Sequence, residues 1–493
     1  MNKNLGKKFN EIVKKYRNRI SIQFSLNEFY TYNELDLISE KYCVFLKKNN
    51  IKNGDSIVIE SKKNIQVYAI IIACLKLGIP YAFVDTNEPY SRLLRIIKKI
   101  KPKKIICFDR FINLKQSLLI NKKKILKINS INNKKNKILA KHNNVAYIMF
   151  TSGSTGEPKG VQITHANLNY FIRWCRKKFS ISHKIKMTNI NPLHFDNSIF
   201  DFYACIFNGG TLLPIQKYEL FNLKKLLIKL SNLNCDTWFS VPSLINMLVK
   251  FNKVIVFKNS NIKKFIFGGE PFPTNSIKRI YKYLNKADIY NVSGPTECTC
   301  MCSGHLVTKK ELFDKKNIFI GKINNYFKYK IIKNNFKKNF GELYLEGPAV
   351  SQGYINDKKK TKDKFYKIGN YNGYKTGDIV EKSSKGILRI VGRVDNQVKI
   401  LGHRVELEEI ENVINKIFNL NQSLIILKRK KIFPFKKIIF ITDNKKISPN
   451  FFFSKLEKEL PRYMIPEEIK KINNFKLNSN EKINRKYYEK KFF

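Results

Sequence analysis

The sequence predicts an α/β protein with a large N-terminal domain of helix-covered sheets, a β-rich subdomain at the end of that domain, and a small α+β C-terminal domain. Three observations carry this reading. From about Tyr32 to Asn291, short β-branched runs alternate with amphipathic helical stretches, the pattern of parallel strands joined by covering helices. After about Cys302 the pattern changes to short strands and Gly-containing turns. From about Val398 it changes again, to a mixture of strands and helices.

The elements follow in order. Ser56 to Glu60 reads as a strand and Asn64 to Lys76 as a helix; Lys104 to Asp109 and Val145 to Phe150 are further strands. A helix over Asn167 to Phe179, a strand over Thr211 to Ile215, a helix over Asn222 to Leu230, and strands over Thr237 to Val241 and Lys264 to Phe267 continue the alternation. The β-rich part comprises Gly341 to Leu345, Gly353 to Tyr354, Gly373 to Asp378 and Gly386 to Val391. The last part holds a strand Val398 to Ile400, a helix Leu407 to Ile417, strands near Ser423 to Ile426 and Lys437 to Thr442, and a final helix near Phe452 to Leu460. Runs such as Lys122 to Lys137 read as Lys/Asn-rich loops.

Composition excludes a disordered chain, because 43% hydrophobic and 13% aromatic residues can fill a large core. The formal charge of +56 raises nucleic acid or an anionic membrane as partners. The excess is spread over the whole chain instead of gathered on one arm or face, which favours compositional bias; specific nucleic-acid binding and membrane insertion are not expected. Residues 1 to 19 lack the apolar core of a signal peptide. The longest apolar stretch, around Val67 to Leu77, contains Lys76 and is shorter than a membrane span. A cytoplasmic protein is expected. Cys43, Cys74, Cys107, Cys175, Cys205 and Cys235 lie singly among apolar residues, as reduced buried thiols do. Cys298, Cys300 and Cys302 share one face if this stretch is a strand, with His305 as a fourth candidate ligand, but they lack the paired spacing of a structural zinc site.

The segment Thr151-Ser-Gly-Ser-Thr-Gly-Glu-Pro-Lys-Gly160 sits between a strand and a helix beginning near Ala166. Its glycines leave backbone N–H groups free to wrap phosphate oxygens, its hydroxyls add donors, and Lys159 adds charge. It is a polyphosphate cradle, yet differs from the Walker loop because Pro158 stands where that loop has Gly before its Lys. A flexible linker of similar composition would not be pinned between two apolar elements.

Further motifs are Thr31-Tyr-Asn-Glu-Leu35, Leu75-Lys-Leu-Gly78, Phe195-Asp-Asn-Ser198, Gly268-Gly-Glu270, Gly294-Pro-Thr-Glu297, Gly341-Glu-Leu-Tyr344, Gly353-Tyr354, Thr376-Gly-Asp378, Gly392-Arg-Val-Asp395 through Glu406-Leu-Glu-Glu-Ile-Glu411, Leu460-Pro-Arg-Tyr-Met-Ile-Pro466 and Lys482-Ile-Asn-Arg485. Together they resemble the adenylate-forming (AMP-binding) superfamily over nearly the whole chain, closest to stand-alone amino-acid adenylation enzymes and D-alanine:carrier-protein ligases. The resemblance implies an AMP-binding domain over residues 1–392, a hinge over 393–395 centred on Asp395, and a mobile C-terminal domain over 396–493.

It also implies an ATP site made by Thr151, Ser152, Gly153, Ser154, Thr155, Gly156 and Lys159, with Gly269, Glu270, Asn291, Val292, Ser293, Gly294, Pro295, Thr296, Asp378, Arg393 and Lys482. Lys482, Thr155 and Glu297 are the expected catalytic residues. Glu297, in a turn made by Gly294 and Pro295, is a carboxylate suited to hold the Mg2+ that bridges phosphate oxygens. Asp378 can accept from both ribose hydroxyls, and Arg393 can reach the same nucleotide. Lys482 is implied to bridge the substrate carboxylate, ribose and α-phosphate. Two residues depart from the family pattern: Ser293 replaces the usual Tyr, and Glu481 the usual Gly.

Phe195-Asp-Asn-Ser198, with Asp201 and Tyr203, resembles the amino-acid-activating branches, in which the Asp binds the substrate α-ammonium. A carboxylate in an apolar pocket wants a cation; Asp196 can also cap a helix over Ser198 to Phe207. The remaining pocket positions are Asn197, Phe200, Ser240, Ile266, Gly268, Val292 and Cys300, a mostly apolar lining suited to a small or medium uncharged amino acid. Gly268 stands where D-alanine ligases carry a cysteine, so chirality stays open. The stretch Gln397 to Leu407 resembles the carrier-linked branches more than the CoA ligases, and the phosphopantetheine thiol of a separate, acidic carrier protein is the expected acceptor. The expected reaction is ATP-dependent formation of aminoacyl-AMP followed by that transfer. The alternatives are an acyl- or aryl-CoA ligase and, more remotely, a nucleic-acid-binding protein with an inactive adenylation fold.

Overall fold

The computed structural model describes residues 4–108, 119–120, 135–153, 156–250, 261–284, 286–314, 318–333, 339–429, 436–478 and 483–492. Contacts divide the chain into two units. The first is Met1–Asp85, Ile100–Phe150 and Gly160–Val394; the second is Thr86–Lys99, Thr151–Lys159 and Asp395–Phe493.

Two sheets form most of the first unit. One is eight-stranded, in the order Ser303–Leu306, Asp288–Ser293, Lys264–Gly268, Thr237–Ser240, Lys186–Asn189, Thr211–Pro214, Ile20–Gln23, Phe29–Thr31. Its inner pairs are parallel, and each edge strand is antiparallel to its neighbour. Both faces are covered, so neighbouring residues enter opposite cores: Trp238 and Phe265 pack on one side, Phe239 and Ile266 on the other. That is why these strands read as continuous apolar runs. The second sheet is six-stranded, in the order Leu119–Ile120, Lys104–Ile106, Ile57–Glu60, Tyr81–Val84, Val145–Thr151, Lys159–Thr164.

Helix Ile65–Leu77 is buried on nearly every side, and its one charge, Lys76, is held by Asp36 at 2.6 Å, Glu40 at 2.6 Å and Ser39 at 2.8 Å. Gly78 ends it at φ 73°, a conformation that favours glycine. Hence the motif Leu75-Lys-Leu-Gly78 is structural. The β-rich part is a five-stranded antiparallel sheet centred on the long strand Tyr371–Lys382.

In the second unit, Leu424–Arg429, Lys436–Thr442 and Glu468–Lys471 make a three-stranded sheet. Ile425 and Phe440 pack with Ile410 and Ile414 of helix Leu407–Phe418; Leu424, Ile426, Ile439 and Ile441 pack with Tyr488 of helix Arg485–Phe492.

The architecture agrees with the α/β expectation, with several corrections. The loop after Val145–Thr151 leads into a strand, Lys159–Thr164, and the helix His165–Lys178 starts only after Thr164, whose side chain caps it. Cys298, Cys300 and Cys302 do not share a strand face: Cys298 ends a 3-10 turn, and Thr299 and Cys300 take φ 59° and 71°. All three are buried thiols, and His305 faces Glu311 at 2.8 Å. Helices Leu5–Tyr16 and Arg485–Phe492 were not expected, so the stretch near Phe452 is not the final helix; it spans Pro449–Leu456. Asp109 lies outside the described residues, as does most of Lys122 to Lys137.

Candidate functional site

Within the first unit the structure joins three of the motifs. Asp196 occupies the N-cap position of the short helix Asn197–Ile199 without a side-chain capping bond. Its carboxylate accepts instead from the Thr296 hydroxyl at 2.5 Å. The capping reading of Asp196 is therefore not what this geometry uses. Glu297, next to Thr296, is fully buried and accepts from the Tyr354 hydroxyl at 2.8 Å. Its backbone carbonyl accepts from the Ser351 amide at 2.8 Å.

The turn before this pair needs Gly294, because a Cβ there would lie 2.6 Å from the Met301 Cα. Pro295 then leads into the 3-10 turn Thr296–Cys298. Upstream, the Asn291 amide donates to the Phe319 carbonyl at 2.9 Å, and the Ser293 carbonyl accepts from the Cys302 amide at 2.9 Å.

Gly268 pairs in register with Val292, where a Cβ would lie 2.6 Å from the valine side chain. Gly269 has φ 90° and passes close to Asn197. Glu270 accepts from the Ser243 amide at 2.7 Å, in the first turn of helix Pro242–Lys250, where a carboxylate is electrostatically favoured. Phe200 is fully buried between Phe239 and Phe179, at ring distances of 4.9 and 5.3 Å; Ser240 and Ile266 are equally buried, and Cys300 nearly so. These four side chains offer almost no open surface. Asp378 and Arg393 face each other across neighbouring strands; Arg393 holds the Asp378 carboxylate and donates to the Thr376 carbonyl at 3.3 Å.

The Gly-rich loop Thr151–Lys159 belongs to the second unit. Gly153 leaves no room for a side chain, since a Cβ would lie 2.2 Å from the Glu157 carbonyl, and Gly156 has φ 79°. The Thr151 hydroxyl is buried without a hydrogen-bond partner among the described residues. Three of the loop's donors are engaged within the unit. Ser152 Oγ donates to the Arg404 carbonyl at 2.7 Å, the Gly153 amide to Glu409 Oε2 at 3.2 Å, and Lys159 Nζ lies 3.1 Å from Glu406 Oε1. Burial raises the Glu409 pKa, and Arg92, 3.2 Å away, opposes that rise. Ser154, Thr155 and Lys482 lie outside the described residues, as does Glu481. Arg485, three positions after Lys482, is anchored to Glu411 at 2.7 Å and to the Ile425 carbonyl.

Sequence reasoning gave no role to Tyr354 at Glu297, to Glu406 and Glu409 at the loop, or to Lys63 beside Asp201. The glutamates stood in a quoted motif; Lys63 is one of 94 basic residues and carried no signal.

The Gly-rich loop, the buried Glu297 of the Gly-Pro-Thr-Glu turn and the Asp378–Arg393 cross-strand pair each fall on a motif quoted in the sequence analysis. The chain belongs to the AMP-binding enzyme family, whose model matches residues 9–355. It is 30% identical over 484 residues to a D-alanine–D-alanyl carrier protein ligase of Listeria monocytogenes serotype 4b (strain F2365), covering 92% of this chain and 93% of the relative. Its fold is similar to an artificially fused adenylation–PCP di-domain from Klebsiella oxytoca, with TM-score 0.84 and 19% identity over 96% of this chain and 95% of that one. It is also similar to o-succinylbenzoate CoA synthetase of Bacillus subtilis, with TM-score 0.85 and 17% identity over 99% of each chain. Since one solved structure carries a carrier domain and the other is a CoA synthetase, the fold alone does not decide the acceptor. Among the described residues, no helix is long and apolar enough to cross a membrane.

Proposed function

We propose that this protein activates a small amino acid, D-alanine, as aminoacyl-AMP at the expense of ATP and passes the aminoacyl group to the phosphopantetheine thiol of a carrier protein. Asp196 carries the reading: a carboxylate fixed by Thr296 in front of an apolar wall is matched to an α-ammonium group, which fatty and aryl acids lack. The named relative supports D-alanine and the carrier as substrates.

The substrate carboxylate attacks the α-phosphorus, and pyrophosphate leaves. The loop supplies amide N–H groups, the Thr151 and Ser152 hydroxyls and the Lys159 ammonium to the phosphates; the Thr151 hydroxyl, without a partner among the described residues, and side-chain-free Gly153 fit that task. Glu406 and Glu409 must give up the loop's donors for phosphate to take them. Ser154 and Thr155 complete the loop in this reading, and Lys482 adds positive charge at the α-phosphate.

Asp378 holds the ribose with Arg393 steadying its carboxylate; Gly269, Glu270 and the Asn291–Thr296 segment flank the nucleotide. Asn197, Phe200, Ser240, Ile266, Gly268, Val292 and Cys300 shape the amino-acid side. The metal fits a substrate-borne role: Glu297 is a single buried carboxylate, and no group of three or more His, Cys, Asp or Glu forms a cage among the described residues. Mg2+ bound there with ATP would neutralise phosphate charge. Asp395 is the hinge between the two half-reactions, supported by the change of contact unit between Val394 and Asp395.

ATP/pyrophosphate exchange over D- and L-amino acids and their deaminated analogues tests this reading. Exchange with D-alanine well above propionate is expected. Exchange with acids lacking an amino group, at least equal to that with any amino acid, overturns it in favour of a CoA ligase.

A further inference from the structure

The segment that carries Asp196 leaves the sheet at Asn189 and reaches the helical turn at Asp201, and both ends are tied by buried charge. Asp201 is fully buried, and its Oδ2 accepts from the amides of Asn189 at 2.9 Å and Asn191 at 3.2 Å. This closes residues 189–201 into a loop. Lys63 Nζ donates to three backbone carbonyls, Asn189 at 2.8 Å, Ile190 at 2.7 Å and Ile215 at 2.8 Å. One ammonium thereby joins the carboxyl ends of two neighbouring parallel strands where the Asp196 segment departs. Tyr68 completes the network by donating to Asn189 Oδ1 at 2.7 Å.

The arrangement is costly. Asp201 Oδ1 has no hydrogen-bond partner among the described residues. Burial pushes the Asp201 carboxyl up and the Lys63 ammonium down, and each opposes the other's shift. Replacing such a buried charge system by apolar residues is often neutral or stabilising, so stability alone does not explain it. Fixing a recognition segment to within a fraction of an ångström does.

We propose that Lys63 and Asp201 are positioning residues for substrate recognition: they clamp the two ends of the Asn189–Asp201 segment and so set where Asp196 meets the amino-acid ammonium. The proposal rests on the amino-acid reading of Asp196 for its effect on catalysis, and on the hydrogen bonds alone for the clamp.

The test compares Lys63→Met, Asp201→Ala, Asp201→Asn and Asn191→Ala in the full chain by ATP/pyrophosphate exchange with D-alanine. Lys63→Met and Asp201→Ala are expected to raise KM for D-alanine about tenfold or more, with KM for ATP and kcat within about twofold. Asp201→Asn keeps an oxygen for both amides and is expected to restore KM to within about threefold of wild type. Asn191→Ala removes one strand of the clamp without touching charge, and decides the matter if the charge variants fail to fold; an intermediate rise supports the clamp. Amide hydrogen exchange supplies a readout independent of substrate, with protection expected to fall selectively in peptides covering residues 190–200. Unchanged KM for D-alanine, an equal rise in KM for ATP, or unchanged exchange in 190–200 overturns the clamp. A wild-type protein that does not exchange with any amino acid, but loses protection in 190–200 on Asp201→Ala, refutes the functional reading and leaves the clamp standing.

Discussion

The Asp196 region and the phosphate loop are both built from polar groups, but they hold them differently. Asp196 is bonded to Thr296 and the neighbouring Glu297 to Tyr354, and the segment that carries Asp196 is closed by Asp201. A site of this kind meets its ligand already oriented. In the loop Thr151–Lys159, Ser152, Gly153 and Lys159 are instead engaged with acceptors of one short stretch, Arg404 to Glu409. Two of those acceptors are carboxylates, the side chains most like phosphate in charge and geometry. In the proposed reaction Asp196 would be set before its substrate arrives, whereas the loop would take phosphate by exchanging Glu406 and Glu409 for it.

The proposed mechanism leans most heavily on Lys482. Lys482→Ala should reduce aminoacyl-AMP formation by about a thousandfold or more while sparing transfer from supplied aminoacyl-AMP to the carrier, because the first step alone needs its charge at the α-phosphate. Equal loss in both steps would remove the distinction between half-reactions.

Glu406→Gln sharpens the exchange-of-partners view. Relieving Lys159 of its carboxylate should lower the apparent KM for ATP about threefold, since a self-contact that competes with a ligand weakens it in proportion to its population. A raised KM would mean that Glu406 assists ATP.

The smallest effect concerns stability away from both regions. His165 Nδ1 accepts from the Leu5 amide at 3.1 Å, and burial pushes its pKa down to about 3. Because the folded pKa lies below the unfolded one, the stabilisation is complete above the ordinary value of 6.5 and drains away as pH falls towards 3. His165→Asn, whose Oδ1 can take over the bond, should flatten this loss by about 1 kcal/mol per pH unit below 6.5, read from urea unfolding at several pH values. Parallel wild-type and variant curves would contradict it.

The sequence made the parallel sheets legible because both faces are covered, so strands such as Lys264–Gly268 appear as solid apolar runs between amphipathic helices. The Gly-rich loop stood out in the sequence because its glycines, hydroxyls and lysine together suit phosphate. Strand Lys159–Thr164 was hidden by a strong helix pattern a few residues later. Leu5, Phe9 and Val13 do line one face of helix Leu5–Tyr16, but their signal is diluted by the lysines and asparagines between them. The cysteines from 298 to 302 misled because a period of two implies a strand only in extended backbone, and here the chain turns through left-handed residues. Lys63, Glu406 and Glu409 were illegible as site residues, since their roles arise from tertiary placement.

The central claim is that Asp196 reads the amino group, and the most direct measurement is ATP/pyrophosphate exchange by wild type and Asp196→Ala with D-alanine and with propionate. A loss of two to three orders of magnitude in kcat/KM for D-alanine is expected, about 3–5 kcal/mol from leaving a buried ammonium unpaired, with propionate exchange little changed or improved. Parallel losses for the two acids would contradict it.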